Sequence, residues 1–283
     1  MSRPIGGLSK IAPGYDHILC DVWGVIHNGR RSWSETSEAL TRFRDQGGTV
    51  ILITNAPRPA GPVQEQLDGL DVPRSAYDDI VTSGDVTRTL LAEAEAPVFH
   101  LGPERDHTLY RGLDVHLSGE GEAQTVSCTG LFDDTTETPS DYDDILRRFR
   151  SRDLPLICAN PDLVVERGDT LVWCAGAIAR DYAAMGGKVL ISGKPHPPIY
   201  AEAISRIETI TGKPANPRRV LAIGDGMPTD VKGANNAGID LLYISQGIHS
   251  SEYADMGDGD SGIEEFLQVH KAKAVAHIPR LKW

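Results

Sequence analysis

Four short segments, spread from residue 21 to residue 230, each put a group suited to phosphate chemistry just after an apolar run. They are Asp21-Val22-Trp23-Gly24-Val25, Thr54-Asn55, Gly193-Lys194-Pro195, and Gly224-Asp225-Gly226 with Asp230. Together they supply a carboxylate nucleophile, a hydroxyl, a cation and a pair of metal-binding carboxylates. Three carboxylates on one rim, Asp21, Asp225 and Asp230, would raise one another's pKa if left uncompensated. A hard divalent cation removes the conflict. Mg²⁺ fits, because it takes oxygen ligands, keeps waters and bridges to phosphate. Lys194 adds a point positive charge. Thr54 offers a hydroxyl donor, and Gly24 lets the backbone come close to a phosphate. Phosphoryl transfer needs mostly positioning and charge neutralisation. A carboxylate nucleophile splits hydrolysis into two steps through an aspartyl-phosphate.

Such groups need a scaffold that ends several strands on one rim. Strands are expected over residues 17–20, 49–53, 79–82, 98–101, 154–159, 171–175, 189–191, 220–223 and 241–244. Several are near-continuous Val, Ile and Leu, which suits strands covered on both faces. Helices fall between them. Ser34 can cap one that carries Ala39, Leu40 and Phe43 and stops at Gly47-Gly48. Ser140, followed by Asp141, Asp143 and Asp144, starts another. Pro197-Pro198 opens a third, which ends near Gly212, and Thr229 can cap a fourth that ends at Gly238. The alternation predicts a doubly wound parallel α/β sheet, whose ligands bind beyond the carboxyl ends of the strands. Asp21, Thr54, Lys194 and Asp225 all sit at or just past such ends. Residues 103–145 are polar and poor in strong strands, and the chemistry-bearing segments all lie outside 97–187. The expected division is a catalytic core of residues 1–96 and 188–283 with an inserted α/β cap of residues 97–187.

Composition bounds the partners. A formal net charge of −12 over 283 residues repels nucleic acid and anionic membranes. An anionic substrate then needs a local cation. Lys271, Lys273, Arg280 and Lys282 near the C-terminus read as a solvated tail. No apolar run approaches the roughly 20 residues of a membrane helix, and residues 1–14 hold no signal-like apolar stretch. Cys20, Cys128, Cys158 and Cys174 are scattered, mostly in apolar runs, and read as reduced core residues of a cytoplasmic protein.

As a group, the four segments resemble the four motifs of the haloacid dehalogenase superfamily. Their order and spacing, with an insertion before Gly193-Lys194-Pro195, are similar to its class IIA branch of nucleotide, pyridoxal-phosphate and phosphoglycolate phosphatases. Thr82-Ser83-Gly84, Asn160-Pro161-Asp162 and Gly176-Ala177-Ile178 extend the similarity over nearly the whole chain. The resemblance implies that Asp21 is the nucleophile and a Mg²⁺ ligand. It makes Thr54 and Asn55 the phosphate-binding pair, and Lys194 the lysine that steadies the phosphate and Asp21. Asp225 matches a metal ligand and Asp230 the second acidic position of the fourth motif. The backbone carbonyl of Trp23 matches a further ligand, and Trp23 and Gly24 line the phosphate position. The family normally carries a second Asp where this chain has Trp23, as general acid for the leaving group and then base for water. The carbonyl survives that change; the proton transfer does not. General acid–base catalysis is worth roughly 10²–10⁴ in rate. Slow hydrolysis, an acid from elsewhere such as His27, or a leaving group that needs no acid all stay open. His27 can equally be a surface histidine of a hairpin.

The function expected is therefore a Mg²⁺-dependent phosphohydrolase acting on a small phosphorylated metabolite such as a sugar phosphate. Nucleic acid and membrane are not expected as partners, and a homodimer stays open. A phospho-ligand-binding or regulatory module with little turnover is the alternative, with Trp23 as its main support. A phosphotransferase or mutase would use the same aspartyl-phosphate. A receiver-like signalling domain fits poorly, since the chain is too long. Cys174 and Arg180 share the spacing of thiol-dependent phosphatases, but the residues between them are helix-like and no His precedes the Cys. Gly193-Lys194 is no nucleotide P-loop, because Pro195 replaces Ser/Thr and Lys188 stands where Gly is needed.

Overall fold

The computed structural model describes residues 2–253, 256 and 259–283. Among the described residues the strands are β1 Arg3–Pro4, β2 His17–Asp21, β3 Thr49–Thr54, β4 Asp79–Thr82, β5 Val98–Leu101, β6 Thr125–Cys128, β7 Leu156–Cys158, β8 Val164–Arg167, β9 Thr170–Trp173, β10 Val189–Ile191, β11 Val220–Gly224, β12 Asp240–Ile244 and β13 Ala276–Ile278. The α-helices among these residues are α1 Ser34–Asp45, α2 Ala60–Asp68, α3 Ser83–Ala92, α4 Asp143–Ser151, α5 Ala175–Ala184, α6 Pro197–Thr211, α7 Lys232–Ala237 and α8 Asp260–Val269. The chain forms two compact units. One holds residues 1–54, 64–81 and 200–283, the other residues 55–63 and 82–199. The stretch 97–187 lies inside the second unit, which also takes α3, β10 and the segment after Thr54.

The first unit is built on a seven-stranded sheet in the order β1-β13-β12-β11-β2-β3-β4. Its registered pairs are parallel. All six residues of β3 and all five of β11 are buried. That is why these strands are continuous aliphatic runs rather than alternating ones: helices must cover both faces. Chain order proceeds outward from β2 to β3 and β4 on one side, and from β11 to β12 and β13 on the other. The direction of winding reverses between β2 and β11, where a doubly wound sheet opens a crevice at its carboxyl edge.

The second unit has a parallel sheet in the order β10-β7-β6-β5 and a two-stranded antiparallel ribbon of β8 and β9. Its core gathers Phe149 and Leu146 of α4, Tyr182 and Ile178 of α5, and Val126, Cys128 and Leu156 of the sheet.

Several sequence expectations need correcting. β6 lies in the stretch read as strand-poor. Its Thr125-Val126-Ser127-Cys128 is entirely buried, and the Ser127 hydroxyl is satisfied there because Tyr110 Oη donates to its Oγ at 2.8 Å. The strand expected over 171–175 stops at Trp173, because Ala175 begins α5. Ser34 is the first residue of α1 and not its cap, which is Trp33. Thr229 caps nothing: it sits inside a wide helical turn, Met227–Val231, that precedes α7. The C-terminal segment is packed rather than a tail, although Lys271, Lys273 and Lys282 are exposed as expected. β13 is buried, the Lys282 carbonyl accepts from the Leu8 N–H at 2.7 Å, and the Arg280 guanidinium rests 4.7 Å from the Trp33 ring centre. No helix among the described residues is long and apolar enough to cross a membrane.

Candidate active site

Asp21 is the last residue of β2, and the register pairs it with Ile53 of β3. Ile223 of β11 pairs with Cys20, so Gly224 ends level with Asp21 and Asp225 leaves one residue beyond. The two carboxylates thus emerge side by side where the winding reverses. Asp230 returns to them through the wide turn, and its Oδ2 accepts from the Gly226 N–H at 3.0 Å. Asp21, Asp225 and Asp230 are all buried, and each offers an oxygen within 4.8 Å of the others. Three buried carboxylates that close repel one another unless a cation or protons intervene. An all-oxygen set of this kind fits a hard divalent ion.

The chain after Asp21 turns sharply. Gly24 has φ +87°, and a Cβ there would overlap the Asp225 carboxylate. The Ile26 and His27 N–H groups both donate to the Val22 carbonyl, and the Gly24 N–H to the His27 carbonyl. Trp23 is half-buried on this turn. Its ring meets that of His27 edge-on, with centroids 4.9 Å apart.

His27 is not a surface histidine: it is 1% exposed. Burial pushes its pKa down to about 4. Its Nδ1 accepts from the Gly29 N–H at 2.9 Å, which leaves the proton on Nε2. A neutral imidazole at pH 7 is a poor proton donor, so His27 is not suited to the acid role considered for it.

Thr54 ends β3 and is buried. Within the second unit, Asn55 and Lys194 are buried together. Asn55 Oδ1 accepts from the Lys194 N–H at 2.7 Å, and Asn55 Nδ2 donates to the Lys194 carbonyl at 3.3 Å and to Asp162 Oδ1 at 2.9 Å. Here the Asn160-Pro161-Asp162 similarity acquires a physical role, since Asp162 and the Lys194 backbone fix the Asn55 amide between them. The structure thus gathers Asp21, Trp23, Gly24, Thr54, Asp225 and Asp230 in one unit, and Asn55 and Lys194 in the other.

Cys174 is buried, and its thiol is pushed well above the ordinary range by desolvation. Arg180 is spent on Asp181 at 2.8 Å. A thiolate mechanism therefore has neither its nucleophile nor its cation.

Sequence reasoning missed the segment after β12. The Ile248 N–H donates to Asp225 Oδ2 at 2.8 Å, and a Cβ at Gly247 would overlap the same carboxylate.

A family model described as haloacid dehalogenase-like hydrolase matches residues 18–116, and a second, HAD-hydrolase-like, matches residues 191–262. A hydrolase of the haloacid dehalogenase-like family from Brucella suis 1330 is 50% identical, with a TM-score of 0.89 and 99% of each chain covered. The D-glycerol 3-phosphate phosphatase of Mycobacterium tuberculosis is 28% identical over 262 residues, 86% of this chain and 67% of that protein. The ribonucleotide monophosphatase NagD of Escherichia coli is 23% identical over 248 residues, 84% of this chain and 91% of that one.

Proposed function

Because the chain belongs to the haloacid dehalogenase-like hydrolases and is a phosphatase of phosphoric monoesters, we propose that Asp21 is its nucleophile and that Asp21, Asp225, Asp230 and the Trp23 carbonyl hold Mg²⁺. The observation that carries this reading is the triad of buried carboxylates with oxygens within 4.8 Å of one another. When bound, the metal supplies charge neutralisation between the carboxylates and the phosphate oxygens. Asp21 attacks phosphorus, the ester oxygen leaves, and water then hydrolyses the aspartyl-phosphate to free the carboxylate. On the motif resemblance, Thr54, Asn55 and Lys194 hold the phosphate, with Gly24 allowing close backbone approach. The substrate is a small phosphorylated metabolite, in keeping with relatives named for glycerol 3-phosphate and ribonucleotides. The four buried free cysteines suit the cytoplasm.

The leaving group receives no proton from Trp23, whose indole N–H is not a titrating acid, and none from the neutral His27. Without a proton from another group, turnover is slow for poor leaving groups. The same observation favours a second reading, a phospho-ligand binder with little hydrolysis.

The test is phosphate release from an aryl phosphate with Mg²⁺. Activity should vanish with EDTA and in Asp21→Asn, which keeps the fold but loses the nucleophile. Turnover by a folded Asp21→Asn variant overturns the mechanism. Metal-dependent calorimetric binding of phosphorylated ligands without phosphate release establishes the binder.

A further inference from the structure

We propose that His249 is a positioning residue for the Asp225 loop, and that Glu252 holds it in the tautomer this requires. The proposal rests on the metal reading above and adds residues that lie outside the four motifs. The Met227 N–H donates to His249 Nε2 at 3.0 Å. A ring nitrogen that accepts carries no proton, so the proton sits on Nδ1. Nδ1 lies 2.6 Å from Glu252 Oε1, which takes that proton as a hydrogen bond. A carboxylate, an imidazole and a backbone amide thus form a chain that ends two residues after Asp225. The imidazole is itself held against the Phe266 ring, centroids 5.6 Å apart.

The neighbouring bonds give this chain its purpose. One residue before His249, the Ile248 N–H holds Asp225 Oδ2. One residue before Met227, the Gly226 N–H holds Asp230 Oδ2. Pro228 has no N–H to offer. The Met227 amide thus ties the loop between the two carboxylates to the segment after β12. That segment grips the carboxylate with one residue and the backbone with the next. Groups that orient metal ligands from behind typically cost 10–100-fold in metal affinity when removed. His249 acts one bond further out, holding the backbone between Asp225 and Asp230 rather than a carboxylate itself.

The test is calorimetric titration of the metal-free full chain with Mg²⁺ alone and with Mn²⁺ alone, no substrate present. It compares wild type, His249→Leu, His249→Gln and Glu252→Leu, with a thermal melt of each metal-free form. His249→Leu should weaken metal binding about 10–100-fold while the metal-free melting temperature stays near wild type. His249→Gln, whose amide oxygen can reach the place of Nε2 and accept from Met227, should return affinity to within about threefold. Glu252→Leu should weaken it about 3–10-fold, because the ring loses its anchor but not its acceptor. Unchanged affinity in a folded His249→Leu overturns the proposal, as does a Gln variant as weak as the Leu variant. If His249→Leu does not fold, Glu252→Leu decides, since Glu252 is exposed, and unchanged affinity there overturns the proposal. A wild-type chain that takes up neither ion overturns the metal reading itself, and this proposal with it.

Discussion

On the motif resemblance, Trp23 stands where the family carries a proton donor, and under the proposed mechanism its consequences belong to the leaving group. An aryl phosphate departs as a stabilised anion without a proton; an alkyl phosphate does not. Wild type should therefore favour p-nitrophenyl phosphate strongly over alkyl phosphates. Trp23→Asp should raise alkyl-phosphate turnover, by up to roughly 10²-fold given the worth of general acid catalysis, and change aryl turnover little. The opposing cost is packing. Trp23 is half-buried against His27, so its removal should cost about 2 kcal/mol, roughly half of a fully buried Trp truncation. A thermal melt separates the two effects. A folded Trp23→Asp variant with unchanged alkyl-phosphate turnover means that Trp23 is not filling a vacant acid position.

Two glycines carry the next scale, the turns that follow β2 and β12. The backbone at Gly24 and at Gly247 presses on the Asp225 carboxylate, and neither position has room for a Cβ. Gly24 also needs its positive φ. Gly247→Ala, free of that conformational demand, isolates the crowding. Overpacking of this kind costs about 1–3 kcal/mol, and displacement of a ligand should weaken metal binding about tenfold or more. The shift of melting temperature on adding Mg²⁺ reads this directly: it should shrink in Gly247→Ala and persist in a surface control such as Lys213→Ala. An undiminished shift shows that Asp225 tolerates the push. These turns also show what was legible in the sequence. Strands β2, β3 and β11 were visible because burial on both faces forces unbroken aliphatic runs, and the motif residues were visible because each follows such a run. β1, β6, β8 and β13 were not, because two to four residues leave no period to read. Gly247 to His249 were missed because their role is played by backbone N–H groups and a ring nitrogen, whose targets only the fold reveals.

For the whole molecule, pH acts through two opposed effects. A chain of net charge −12 repels itself less as acid neutralises its carboxylates. Buried neutral histidines work the other way. His27 has a folded pKa of about 4 against 6.5 in the unfolded chain, because burial penalises its charge. Above pH 6.5 both states are neutral and its contribution is complete. As pH falls from 6.5 toward 4, only the unfolded state takes up the proton, and stability drains away. The gap from 6.5 to about 4 amounts to about 3 kcal/mol by pH 4, of which about 2 kcal/mol is lost by pH 5. His100, in the second unit, is lowered to about 4 chiefly by burial and then by the neighbouring charge of His107. It titrates in the same window, with a smaller effect because it is only partly enclosed. The melting temperature should therefore fall between pH 7 and pH 5, and His27→Gln should reduce that fall while melting lower than wild type at pH 7, since the amide fills the imidazole's place imperfectly. Adding His100→Gln should flatten the profile further. If the double variant loses as much melting temperature as wild type over that interval, the acid sensitivity belongs to the paired carboxylates, and His27 is not the buried neutral base that its surroundings make it.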